Sequence, residues 1–334
     1  MEKQEIIRSI TERTNGELYL GVVGAVRTGK STFIKKVIES LVVPNIEDEY
    51  ERKRCLDEIP QSAQGKTIMT TEPKFVPSTA ASIKIDDFTT SIRLVDCVGY
   101  VIDGAKGYED ENGPRMVRTP WYDEQIPFIE AAEIGTEKVI RDHSSIGIVV
   151  TTDGSFGEIT RNSYVEAEER VVSELKEIGK PFIVVLNSAH PMLPETESLA
   201  SRLKENYGVP VLPISVENMG ERDIYNILKE ALYEFPVFEV KVNMPDWIAC
   251  LEPSNWLKKT YIEKIRESVI EVDKLRDIEN ITKHFADCEY ISKSYLSEVN
   301  TSLGEVTISL DAPANLFNDV LKEIIGTEIS SKAD

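Results

Sequence analysis

The stretch GAVRTGKST, residues 24–32, has the residue types and spacing that cradle a phosphate chain. It reads Gly24, four residues, Gly29, Lys30, Ser31. The two glycines let the backbone turn tightly, so that the N–H groups of Gly24, Ala25, Val26, Arg27, Thr28 and Gly29 can point inward at an anion. Lys30 supplies a point charge for the β- and γ-phosphate oxygens, and the Ser31 hydroxyl supplies a ligand for Mg²⁺. Thr32 completes the nucleotide-facing stretch at the start of a helix, whose positive end adds to the attraction.

Two further stretches belong to the same chemistry. Asp96 and Gly99 in DCVG form a D-x-x-G pattern roughly 65 residues downstream, at the end of an apolar run. There the aspartate orients the Mg²⁺ shell and the glycine N–H meets the γ-phosphate. Between the two lies QGKTIMTTEP, residues 64–73, where Thr70 and Thr71 are candidates for Mg²⁺ and for the attacking water, or else belong to a threonine-rich surface strand. Tyr100 stands where many such enzymes carry a water-orienting glutamine. Arg27 is either an internal arginine finger, as in guanylate-binding and atlastin-type GTPases, or an arginine turned to solvent.

The base-reading residues set the nucleotide. GTPases of this frame end one strand in N-K-x-D, whose carboxylate pairs with donors that guanine has and adenine lacks. Here the strand ends VVLNSAHP: Asn187 is kept as a nucleotide-site residue, Ser188 replaces the lysine, and His190 replaces the aspartate. The later S-A-K loop is replaced by ISVEN. A site without the pairing group cannot discriminate for guanine, so ATP with Mg²⁺ is expected.

These motifs need a strand, a loop and a helix in order. LYLGVV before the loop and STFIKKVIESLV after it supply them. SIKIDDF (82–88) and SIRLVD (91–96) alternate as a hairpin. SSIGIVVTTDGS (144–155), KPFIVVLNS (180–188) and VPVLPISVE (209–217) read as strands, with helices at 164–179 and 222–235. Strands alternating with helices predict a parallel, doubly wound α/β sheet over residues 1–235. Residues 236–334 predict a smaller α+β domain. Its elements are strands in FPVFEVKVNMP (235–245) and GEVTISLDAP (304–313). An amphipathic helix is expected over 261–278, with Ile262, Ile265, Val269, Val272, Leu275 and Ile278 on one face. A last helix over 313–326 is opened by Pro313 and closed by Gly326. The long segment 99–124 is either an ordered lid or an assembly surface.

Composition narrows the partners. The chain has 334 residues, 41% hydrophobic, enough for two domains with cores of their own. Its net charge of −20 is spread over both halves with no basic tract, which argues against nucleic acid and against direct attraction to anionic lipid. Cys55, Cys97, Cys250 and Cys288 and the three histidines lie far apart, with no zinc-ligand spacing. The N-terminus MEKQEIIRSI has no apolar signal region, and no apolar run reaches the roughly 18 residues of a bilayer span, so a cytoplasmic protein is expected.

The chain resembles the stage IV sporulation protein A family. The resemblance rests on YLGVVGAVRTGKSTFIKK, IPQSAQGKTIMTTEPKFVP, IRLVDCVGY, GYEDENGPRMVRTPWY and EAAEIGT, and runs over essentially the whole length. It implies a P-loop NTPase of the translation-factor-like GTPase (TRAFAC) type that hydrolyses ATP. It further implies irreversible self-assembly into a homopolymer, the basement layer of the spore coat. It places the protein in the mother-cell cytosol at the outer forespore membrane, with a small amphipathic membrane peptide and other coat-morphogenetic proteins as partners. Lys30, Ser31, Thr70 and Thr71 fall on the family's nucleotide-site residues. Family members continue past GTEISSKAD, so a C-terminally truncated chain with impaired polymer formation or anchoring is expected. Two other readings stay open: a regulatory GTPase of ribosome assembly, and a nucleotide-binding scaffold that does not turn over.

Overall fold

The structure is a computed structural model that describes residues 2–60, 73–85, 88–110, 113–270 and 272–326. The chain divides into two compact units, Met1–Glu234 and Phe235–Asp334.

The first unit begins with α1 (Lys3–Arg13) and β1 (Glu17–Val23). After the glycine-rich loop come α2 (Lys30–Val37), a π turn at Ile38–Val42, and α3 (Glu49–Asp57). Asp48 caps α3 by accepting the Glu51 N–H at 2.7 Å. β2 (Lys74–Ile85) and β3 (Phe88–Asp96) follow as the expected hairpin. Segment 99–124 carries two small hairpins, one of β4 (Glu109–Asp110) with β5 (Gly113–Pro114), the other of β6 (Met116–Thr119) with β7 (Tyr122–Pro127). Ile102, Ala105 and Val117 of this segment are buried in the main core, so it is packed and folded onto the domain. The unit closes with α4 (Phe128–Arg141), β8 (Ile146–Thr152), α5 (Val165–Ile178), β9 (Phe182–Asn187), α6 (Pro194–Tyr207), β10 (Val211–Ile214) and α7 (Glu221–Tyr233).

The sheet order is β10-β9-β8-β1-β3-β2. β8 and β9 are buried at every position, which is why they read as unbroken apolar runs: helices cover both faces. The sheet is parallel except for β2, which pairs antiparallel to β3 at the edge; the hairpin turn reverses it, so the sheet is mixed rather than wholly parallel. The chain runs from β1 outward to β3, then returns to β8 on β1's other side. That reversal puts the C-terminal ends of β1, β3, β8 and β9 along one edge, where open α/β sheets bind ligands.

The second unit holds β11 (Glu239–Asn243), α8 (Asp246–Ala249), α9 (Trp256–Ile270), α10 (Ile278–Ile281), β12 (Lys293–Asn300), β13 (Glu305–Asp311) and α11 (Leu316–Ile325). Its sheet order is β11-β13-β12, with β12 antiparallel and bulged between Leu296 and Glu298. Two expectations need correction. The helix expected over 261–278 begins at Trp256, where the Asn255 carboxamide accepts the Leu257 N–H at 2.9 Å, and it ends at Ile270. Beyond it the Asp277 carboxylate accepts the N–H groups of Asp273 and Lys274, and this turn takes Leu275 and Ile278 off the helix while keeping them buried. The last helix starts at Leu316 behind a turn closed by Leu316 N–H on Pro313 O, so Pro313 precedes the helix; Gly326 ends it at φ 74°, as expected.

Candidate functional site

The loop after β1 is shaped by its glycines. Gly24 has φ 138°, and a Cβ there would strike the carbonyl of Val150 in β8. Gly29 has φ 100°, and a Cβ would lie 2.5 Å from the Asn187 amide nitrogen. Between them Arg27 takes a left-handed conformation, φ 66°, at a cost of about 1–2 kcal/mol for a residue with a Cβ. Such strain in a loop between a strand and a helix points to a function for that turn.

Lys30, Ser31, Asp96 and Gly99 meet at this loop. Lys30 is buried, and its Nζ donates to Ala25 O at 2.5 Å. Ser31 Oγ donates to Asp96 Oδ2 at 2.9 Å, across 65 residues of sequence. The register of β1 with β3, Val22 opposite Asp96, brings these two motifs side by side. Gly99 has φ 88°; a Cβ there would meet Gly24 O and lie 2.5 Å from Lys30 Nζ. Thr28 is buried and its hydroxyl donates to Ala25 O at 3.1 Å, bracing the loop. Val26 donates its N–H to Tyr100 O at 2.9 Å. Thr32 sits half-buried in the first turn of α2. Arg27 is half-buried, its guanidinium pushed down by burial and up by the Tyr164 phenol. Thr70 and Thr71 lie outside the described residues.

Lys30 and Asp96 are both buried, and burial is the main influence on each. Burial lowers the Lys30 ammonium, a shift that Cys97 and Asp96 oppose. Burial raises the Asp96 carboxyl, and Lys30 and the Ser31 hydroxyl do not offset it. Asp96 Oδ1 is buried with no hydrogen-bond partner among the described residues. An orphaned carboxylate oxygen beside a serine hydroxyl is a hard-oxygen donor set that fits Mg²⁺. Asp96→Asn is expected to stabilise the nucleotide-free protein near neutral pH, because the amide carries no charge to desolvate. The sign follows from the raised pKa. Charging the folded carboxyl costs stability only above its unfolded value near pH 4, so the advantage of Asn is absent there and grows as pH rises through the folded pKa. Melting curves from pH 5 to 8 check this, and a lower melting point for the variant throughout would overturn it.

Asn187 serves the loop. Its Nδ2 donates to Thr28 O at 3.0 Å and its Oδ1 accepts the Val216 N–H at 3.1 Å, so one buried side chain ties the glycine-rich loop to the turn after β10. The acid at the end of β8, Asp153, does not replace the missing base-reading aspartate. Burial alone would raise its carboxyl, but bonds from Ser155, Ser188 and Thr196 hold it below its ordinary value, so its oxygens are already engaged. His190 is exposed, its N–H bonded to Ser188 Oγ at 3.0 Å.

Two clusters went unnoticed in the sequence. Glu168 is 1% exposed and accepts both Arg161 nitrogens, at 2.6 and 2.7 Å, and the Tyr207 hydroxyl at 2.6 Å. Its signal was present: Glu168 lies on the stripe Tyr164, Val171, Val172, Leu175, an acid on an apolar face. Tyr100 is buried and bonded to Glu174; spacing gives no hint of that pairing.

Comparison with known proteins bears on this geometry. Residues 1–236 match the model of the stage IV sporulation protein A ATPase domain, and residues 237–334 that of the same protein's middle domain. Stage IV sporulation protein A of Bacillus anthracis is 56% identical over 333 residues, 99% of this chain and 68% of its own. That of Bacillus subtilis (strain 168) has the same identity and coverage. That of Clostridioides difficile (strain 630) is 50% identical over 325 residues, 97% of this chain and 66% of its own.

Proposed function

The chain belongs to the stage IV sporulation protein A family, and from that premise we propose that its first unit is a P-loop NTPase of the translation-factor-like type that hydrolyses ATP. It is a sporulation protein with an ATPase domain. The observation that carries the finer reading is the meeting of Lys30, Ser31 and Asp96, with Asp96 Oδ1 left unpartnered among the described residues.

The roles follow from the positions. The loop amides, apart from that of Val26, which is bonded to Tyr100 O and so departs from the sequence expectation, and Lys30 bind the phosphates; Lys30 stabilises charge as it moves onto the β-phosphate oxygens. Ser31 and Asp96 would hold Mg²⁺, which would supply charge neutralisation when bound. Gly99 stands beside Lys30, and its N–H, which bonds the Cys97 thiol in the nucleotide-free protein, would turn to the γ-phosphate when nucleotide binds. The role of positioning water is assigned to Thr70 or Thr71, because the Tyr100 phenol is engaged by Glu174. Adenine is accepted because Asp153 is engaged elsewhere and His190 stands in the aspartate's place.

Hydrolysis drives self-assembly into the basement layer of the spore coat, in the mother-cell cytosol at the forespore surface. A small amphipathic membrane peptide and other coat proteins are its partners there. Phosphate release tests the enzymatic core of this reading. ATP is expected to be split with no advantage for GTP, and Lys30→Ala is expected to lower the ATP rate by about a hundredfold or more. Faster release from GTP than from ATP would overturn the base assignment.

A further inference from the structure

Tyr100 is fastened at both ends. Its main chain forms a parallel bridge to Ala25, with Tyr100 N–H on Gly24 O at 3.3 Å and Val26 N–H on Tyr100 O at 2.9 Å. Its side chain runs the other way, into the core, where the phenol donates to the Glu174 carboxylate at 2.6 and 2.7 Å. Arg170, one turn earlier on α5, covers the ring, its guanidinium carbon 4.2 Å from the ring centre. Arg170 is in turn held by Glu174 at 3.2 Å and by Glu133 on α4 at 2.9 Å. Two helices thus grip the residue that follows Gly99. Gly99 itself stands close to Lys30, since a Cβ on Gly99 would reach Lys30 Nζ.

We propose that Glu174 is a positioning residue for hydrolysis: acting through the Tyr100 phenol, it holds the Gly99 N–H and the Lys30 ammonium at a set separation so that both address one phosphate. The inference rests on the ATPase reading above. Tyr100 is not itself a base. Burial and the bond to Glu174 both raise its phenol, which stays protonated and donates. The contact is worth much more to the reaction than to binding, because a small displacement of an aligned donor costs rate steeply while leaving the other phosphate contacts intact.

The test is steady-state phosphate release over a range of ATP concentrations, with melting curves, for the whole chain. Tyr100→Phe and Glu174→Leu are expected to lower kcat by about ten- to a hundredfold, with KM changed by less than about threefold. The double variant Tyr100→Phe/Glu174→Leu is expected to be no slower than the slower single one, since both remove one bond. Glu174→Gln keeps a side-chain carbonyl to accept the phenol proton and is expected to retain at least about a third of the rate. A staple with no part in the reaction would lower the melting point of Tyr100→Phe and leave kcat of the folded protein unchanged, and that result overturns the inference, as does full additivity in the double variant. If the unaltered chain releases no phosphate from ATP, the ATPase reading itself fails and the inference with it. Normal turnover by Tyr100→Phe sinks the inference alone.

Discussion

Gly99→Ala is expected to reduce ATP turnover by about a hundredfold or more while the domain stays folded. Two effects converge on this one methyl group. At φ 88° an L residue is strained by about 1–2 kcal/mol, which a domain can absorb. The contact is the graver problem. The Cβ would press on Gly24 O, which is rigid backbone, and stand 2.5 Å from Lys30 Nζ. Relief requires either that the turn after β3 lift off the glycine-rich loop or that Lys30 swing away; on the proposed ATPase function both misplace a group that would stabilise the transferring phosphoryl. Gly157→Ala separates the two effects. Gly157 has a similar φ of 82° but nothing within 4 Å of its Cβ position. It is expected to lose about 1 kcal/mol of stability and to turn over near normally. Phosphate release and melting curves for both variants decide the matter. A Gly99→Ala protein with more than a third of the normal kcat would refute the placement.

The largest stability loss is expected from Glu168→Leu, about 3–5 kcal/mol, or a fall in melting temperature of roughly 10–15 °C for a unit of this size. Removing the carboxylate strands the Arg161 guanidinium, which is left with Thr151 Oγ1 at 3.0 Å and Thr152 O at 3.3 Å, neither of which neutralises its charge. The Tyr207 hydroxyl loses its acceptor as well. The cost therefore arises from what is left behind, so emptying the whole network should recover most of it. Arg161→Met, Glu168→Leu and Tyr207→Phe together are expected to melt within a few degrees of the unaltered chain. A loss of under 1 kcal/mol for Glu168→Leu alone would show that water reaches Arg161. The cluster also holds the turn before α5, where Tyr164 meets Arg27, so the single change is expected to disturb the loop's far side too.

Local rules act over a few residues, and what depends on them was legible in the sequence. The spacing Gly24, Gly29, Lys30, Ser31 sets a turn whose glycines are needed one by one, so the loop could be read without its surroundings. The apolar runs of β8 and β9 declared a buried sheet, and the alternation across 82–96 declared its hairpin edge. Asp96 could be matched to Ser31 by pattern alone. The reason they touch, however, is the pairing of Val22 with Asp96, which is a matter of strand register.

Tertiary structure decided everything that depends on which elements become neighbours. Asn187 reads as part of a base-recognition motif, yet its amide is spent on Thr28 and Val216, because β9 ends beside the phosphate loop and β10 ends beside β9. Tyr100 reads as a lost glutamine and is found clamped by α4 and α5, elements 28 or more residues further along. The end of α9 was misplaced because apolar periodicity continued through Val272 to Ile278, while a single carboxylate, Asp277, turned the backbone. Periodicity reports which residues are buried; it does not report whether one helix or a helix and a turn buries them. Sequence spacing therefore identified the groups that could hold a phosphate, and only the packing of helices against the sheet fixed the distances that decide whether they work together.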